Sequence, residues 1–179
     1  MQYIGLLIAA VLVGIDRLTK WLVTSNMELK DSIHVIQIGG REILNITYYT
    51  NDGAAFSKFE GQTAMLIAVT SVVLAAMIGL LLFKKVKRTP FIIAFSLVIG
   101  GGAGNLIDRI FNDGLVIDFI DFRIINFAVF NFADICAVCG AALILLLLVR
   151  DEIAERRKKR AEAEKSEENT ETAAENGEN

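Results

Sequence analysis

The sequence predicts an all-α membrane protein: four transmembrane helices carrying a small extracytoplasmic β-sheet. Three observations predict it. The chain of 179 residues is 54% hydrophobic with a mean hydropathy of +0.49, more apolar than soluble domains at roughly 45–50%. Four apolar stretches approach the ~20 residues that cross a hydrocarbon core of about 30 Å. Between the first two, residues 31–59 carry β-branched and aromatic runs instead of a helical pattern.

The first span runs from about Tyr3 to Val23 and carries Asp16, Arg17 and Lys20 in its second half. Met1–Val13 lacks a basic leading region and a small-x-small cleavage site, so it reads as a retained span rather than a secretory signal. Ser32–Ile38 and Glu42–Tyr49 read as two strands, with Gly39-Gly40 as the turn between them. A lone hairpin is marginal in water, which predicts that this one rests on the helix ends at the outer membrane surface. The second span covers Thr63–Phe83, the third Phe91–Ile110 and the fourth Phe130–Val149. Segment 111–129 is compatible with either a short interfacial helix or a strand. From Asp151 to Asn179 ten acids face six bases, a net −4. This tail begins as a charged helix, but it has too little to bury and is expected to be disordered toward Asn179. The chain thus divides into a membrane domain, 1–150, and a charged cytoplasmic tail, 151–179.

Basic residues set the orientation. Lys84-Lys85-Val86-Lys87-Arg88 joins spans two and three, and Arg156-Arg157-Lys158-Lys159-Arg160 follows span four. Such clusters concentrate in cytoplasmic loops, so both termini are expected in the cytoplasm. Segments 24–62 and 111–129 then lie outside. The charges of spans one and three, together with Asp134, fall at that outer end.

Carboxylates among apolar residues at the edge of a span are costly, and they mark functional sites by default. Asp134 opens the fourth span, and Asp118 stands in Val116-Ile117-Asp118-Phe119-Ile120. Three further polar islands share the outer face: Asp16-Arg17-Leu18-Thr19-Lys20, Thr50-Asn51-Asp52-Gly53-Ala54-Ala55-Phe56 and Gly104-Asn105-Leu106-Ile107-Asp108-Arg109. Asn105 and Asp108 are three residues apart and share a helix face, and Asn131 and Asp134 repeat that spacing. Structural roles compete. Asp108 and Arg109 could be interfacial charges with separate partners, and Asn131 could cap a helix with Asp134 at its third position. Gly100-Gly101-Gly102-Ala103-Gly104 reads first as a close helix contact. Cys136-Ala137-Val138-Cys139 reads as two small buried residues.

Two cysteines and one histidine, His34, supply neither a disulfide framework nor a metal set, nor a base for a nucleophilic triad. An aspartate pair remains. Two carboxylates a few ångströms apart hold one proton between them, so one can activate water while the other protonates a carbonyl oxygen.

Taken in order, the motifs Asp16–Lys20, Asn51–Phe56, Gly101–Asn105 through Asp108-Arg109, Val116–Phe119 and Phe130–Asp134 resemble those of bacterial lipoprotein signal peptidase, or signal peptidase II, over about residues 8–150. The resemblance implies a four-helix aspartyl endopeptidase of the bacterial cytoplasmic (inner) membrane, with an outer β-cradle. Such an enzyme removes the signal peptide from diacylglyceryl-modified prolipoproteins by cutting before the lipidated cysteine. It implies Asp118, rather than Asp108, as the catalytic partner of Asp134. It also implies supporting roles for Asp16, Lys20, Asn51, Gly53, Gly104, Asn105, Asp108, Arg109, Asn131 and Ala133. No cofactor and no metal is implied. The expected partners are lipidated prolipoprotein signal peptides and membrane lipid, with no nucleic acid and a monomeric enzyme. The main alternative is a proton- or ion-coupled transporter, but that predicts internal repeats and a site at mid-membrane, and neither is visible. An aspartyl protease of the Gly-x-Gly-Asp type is disfavoured because Gly102-Ala103-Gly104 is followed by Asn105. A non-enzymatic assembly factor would use the same islands as packing glue.

Overall fold

The computed structural model describes residues 1–51, 53, 63–125 and 127–177, with the backbone alone at 161 and 163–177. Among them the order is α1 (Gln2–Asn26), β1 (Ser32–Ile38), β2 (Arg41–Asn51), α2 (Thr63–Leu82), α3 (Thr89–Phe111), β3 (Val116–Phe122) and α4 (Phe132–Gly177). Three helices, α2, α3 and the Phe132–Arg160 part of α4, are long and apolar enough to cross a membrane. At 25 residues α1 has the length, but Asp16, Arg17 and Lys20 interrupt its apolar run. The outward faces are as greasy as the inside: Val69, Val72, Leu145 and Leu146 are all exposed, as lipid-facing helices require.

At the centre, α3 packs on α1, α2 and α4, with Ala9, Leu74, Leu81, Ile92 and Ile99 as the buried core. Pro90 sits in its first turn, where a missing N–H costs nothing. The α3–α4 contact is backbone against backbone. A Cβ added at Gly101 would lie 2.3 Å from the Ala133 carbonyl oxygen and 2.7 Å from the Ala137 nitrogen. Small residues permit this approach in membranes, where packing rather than hydrophobicity joins helices. Gly101→Ala is therefore expected to destabilise the protein by about 1–3 kcal/mol, the usual range for overpacking. Thermal unfolding in detergent reads the loss, and an unchanged midpoint would contradict the contact.

The three strands form one antiparallel sheet in the order β1-β2-β3. Gly39 and Gly40 turn the hairpin with φ of 58° and 79°, left-handed values that favour glycine in a two-residue turn. Segment 111–129, which its sequence left between helix and strand, supplies β3. Pairing across long sequence distance decides it: Tyr49 lies opposite Asp118, and Thr50 opposite Ile117. A single bridge, Ile120 to Phe130, extends the sheet beyond β3.

Along the tail, α4 continues as helical backbone to Gly177. Alanine, glutamate and lysine are strong helix formers, and the pairs Arg156–Glu152 and Lys159–Glu155 sit one turn apart. A helix without an apolar face is still a helix when propensity and charge spacing agree.

Candidate active site

The polar islands converge where α3, the start of α4 and the strands meet. Asn131 immediately precedes α4 and Asp134 is its third residue. Each holds the other's backbone: Asp134 N–H donates to Asn131 Oδ1 at 2.9 Å, and Asn131 N–H to Asp134 Oδ2 at 3.0 Å. This is a reciprocal capping box. The cap and the site are thus one device, because the Asn131 side chain also donates to Asp118 Oδ1 at 2.7 Å, Asn105 Oδ1 at 2.9 Å and the Ile117 carbonyl at 3.2 Å. An amide carries two hydrogens, so these three acceptors share them. Asn105, on α3, completes the frame by donating to Asp134 Oδ1 at 2.7 Å. Asn51, at the end of β2, donates to Asp118 Oδ2 at 3.2 Å.

Behind these groups lies a buried ionic layer. Lys20 is fully buried and reaches Asp16 Oδ2 at 2.9 Å, Asp108 Oδ2 at 2.7 Å and Asn105 Oδ1 at 2.9 Å. Arg17 pairs with Asp108 from the outside. The two buried carboxylates also grip main chain. Asp16 Oδ1 accepts from Ala133 N–H at 3.1 Å, and Asp108 Oδ2 from Ile117 N–H at 3.2 Å. Ala133 and Ile117 immediately precede Asp134 and Asp118, so each structural carboxylate anchors the residue beside a cavity carboxylate. Gly104 leaves the room for this, since a Cβ there would lie 2.5 Å from Asp16 Oδ2.

Asp108 and Arg109 take separate partners, as helical neighbours must. Arg109 Nη2 donates to the Gly53 carbonyl at 2.8 Å, and Gly53 N–H donates to Asn51 Oδ1 at 2.9 Å. Asp52, Ala54, Ala55 and Phe56 of the same motif lie outside the described residues.

A cavity of about 560 Å³ opens between α2, α3, α4 and β3, lined by Asn51, Asn105, Arg109, Asp118 and Asp134, with Leu66, Val138 and other apolar residues beyond them. Asp16, Lys20, Asp108 and Asn131 stand behind its wall. Burial pushes the Asp118 carboxyl up to about 7, helped by the negative charge of Asp134 and opposed by hydrogen bonds from Asn51 and Asn131 and by the charge of Lys20. Such a group holds a proton near neutral pH and can give it up. His34 is away from the cavity on β1, facing Asn45 and Glu42. Cys136 and Cys139 are free thiols, and Cys139 reaches the cavity wall.

Sequence reasoning missed the main-chain anchors at Ile117 and Ala133 and the lining stretch Phe127–Val129. Backbone groups carry no residue-specific signal, so no motif could have marked them.

The family model described as signal peptidase (SPase) II matches residues 8–150. The lipoprotein signal peptidase of Brevibacillus brevis is 38% identical over 140 residues, covering 78% of this chain and 91% of that protein. That of Acaryochloris marina is 43% identical over 139 residues, covering 74% and 81%. A solved structure described as a bacterial membrane enzyme obtained by the in meso method at 2.3 Å superposes with a TM-score of 0.75 at 33% identity, covering 83% of this chain and 88% of that one. With a matching family model over most of its length and relatives this close, the chain belongs to the signal peptidase II family.

Proposed function

We propose that the protein is an aspartyl endopeptidase of the bacterial cytoplasmic membrane that removes signal peptides from diacylglyceryl-modified prolipoproteins, cutting before the lipidated cysteine. One observation carries the mechanism: Asp118 and Asp134 face one cavity from different elements, and Asn131 bonds the first while capping the helix that bears the second. In this reading α1 is the fourth span, both termini are cytoplasmic and the sheet lies on the outer side.

The ionised carboxylate of the pair takes one proton from water, and the resulting hydroxyl attacks the scissile carbonyl carbon. The protonated carboxyl gives its proton to the carbonyl oxygen, forming a gem-diol. Collapse breaks the C–N bond: one carboxyl protonates the leaving amine, and the other carboxylate regains a proton from the gem-diol hydroxyl. The pair ends as it began, with one proton. The proton belongs to the pair rather than to one residue, and the raised Asp118 value favours its presence there. Asn51, Asn105 and Asn131 orient the carboxylates, and the apolar wall toward Leu66 and Val138 suits lipid chains entering sideways from the bilayer.

The test is cleavage by purified protein of a synthetic precursor peptide with and without the diacylglyceryl group. Cutting before the modified cysteine supports the proposal. No cutting, or equal cutting of the unmodified peptide, defeats it. The pH profile has a definite sign. A carboxyl raised to about 7 keeps the shared proton below that pH and loses it above. The rate should therefore be sustained below about pH 7 and fall roughly tenfold per unit above it, as expected for an essential acid. A profile flat to pH 9 would remove the shared proton from the mechanism.

A further inference from the structure

The stretch Phe127–Phe130 belongs to none of the three strands, yet it lines the cavity along its whole length. It joins the sheet at one residue. Phe130 N–H donates to the Ile120 carbonyl at 3.1 Å, and its own carbonyl accepts from Ile120 N–H at 2.7 Å and Phe119 N–H at 3.0 Å. Aromatic contacts fix the stretch there: Phe130 stacks on Phe122 at 5.9 Å, and Phe127 meets Phe130 edge-on at 5.6 Å.

In an antiparallel ladder both main-chain groups of one residue face one neighbour, and those of the next residue face the other way. Phe130 spends both on β3. Neither the N–H nor the C=O of Val129 bonds to β3, and Val129 lines the cavity. Among the described residues, no hydrogen bond involves the backbone of Ala128 or Val129, although both residues are half-buried. Half-buried main-chain groups without partners are ready to receive another strand. The position suits catalysis: Ile120 follows Asp118 by two residues, and Asp134 follows Phe130 by four. Ala128 and Val129 line the same cavity as the two carboxylates.

We propose that Phe127–Phe130 is a substrate-binding strand, along which the peptide flanking the scissile bond lies extended and exchanges hydrogen bonds with Val129 N–H and C=O. This is strand addition, here to a one-residue extension of the sheet. It rests on the peptidase reading and goes beyond it by assigning how the peptide is held. Main-chain pairing ignores side chains, so one edge can hold many different precursor sequences in one register.

The test scans wild-type protein with diacylglyceryl-modified precursor peptides, each carrying one N-methyl group at successive residues around the cut, the scissile amide excepted. Only the peptide residue opposite Val129 donates its N–H to this edge, so kcat/KM should fall about tenfold at that one residue, the scale of one lost hydrogen bond, and change little at its neighbours. A flat profile, or a loss spread evenly over several residues, overturns the strand alone. Absence of cleavage of the unmethylated peptide overturns the peptidase reading and the strand with it. Independently, Val129→Pro, which lacks the N–H, should lose about tenfold more kcat/KM than Val129→Ala; equal losses overturn the proposal.

Discussion

Asp118→Asn is expected to lower the cleavage rate by about 10³-fold or more, at the upper part of the range for losing a general acid or base. The substitution keeps the shape of the side chain and leaves the Asn131–Asp134 cap untouched. Its cost in stability is small, because it also removes a carboxyl that burial disfavours. Asp134→Asn should lose as much rate but also about 1 kcal/mol of stability, since it takes a negative charge from the first turn of α4 and spoils one of the two bonds that Asp134 accepts. Cleavage of a lipidated peptide and thermal unfolding, both measured in detergent, separate the two effects. A variant that cleaves at the wild-type rate would end the role assigned to its residue.

Lys20→Met carries the largest expected loss of stability, about 3–5 kcal/mol, the usual result of removing one partner from a buried charge pair. Lys20 lies between Asp16 and Asp108 with no exposed surface. Without it, two buried carboxylates share one pocket, and Arg17 reaches only Asp108. Activity should fall with stability, because the same ammonium group holds Asn105 Oδ1, and Asn105 holds Asp134. A loss under about 1 kcal/mol in an unfolding series would mean that the layer is not the dry ionic knot its burial describes.

Much of this was legible in the chain, for definable reasons. The four helices follow from apolar runs, whose length the membrane dictates. The hairpin follows from Gly39-Gly40. Asp16 and Lys20, four apart, and Asn105 and Asp108, three apart, declare shared faces through helical spacing alone. What spacing could not give was the meeting of those faces, because the Lys20–Asp108 pair joins residues of two helices. β3 was ambiguous because Val116–Phe122 is buried on both faces, which erases the alternation that marks a strand. Its identity is set by pairing with Tyr49–Asn51, far away in sequence. Asn131 as a cap and Asn131 as a site residue do not exclude each other, since one side chain caps α4 and bonds Asp118.

Among the described residues, the side chains that hydrogen-bond the two carboxylates are all carboxamides: Asn51, Asn105 and Asn131. A carboxamide has a dipole but no proton to gain or lose. In the proposed turnover the shared hydrogen moves from one oxygen to another, and nothing in this inner frame changes its charge. The medium around the reacting atoms is already polarised and does not have to rearrange, which is the condition under which fixed dipoles act most strongly. In this respect the frame behaves like a solvent that has been frozen in the right orientation.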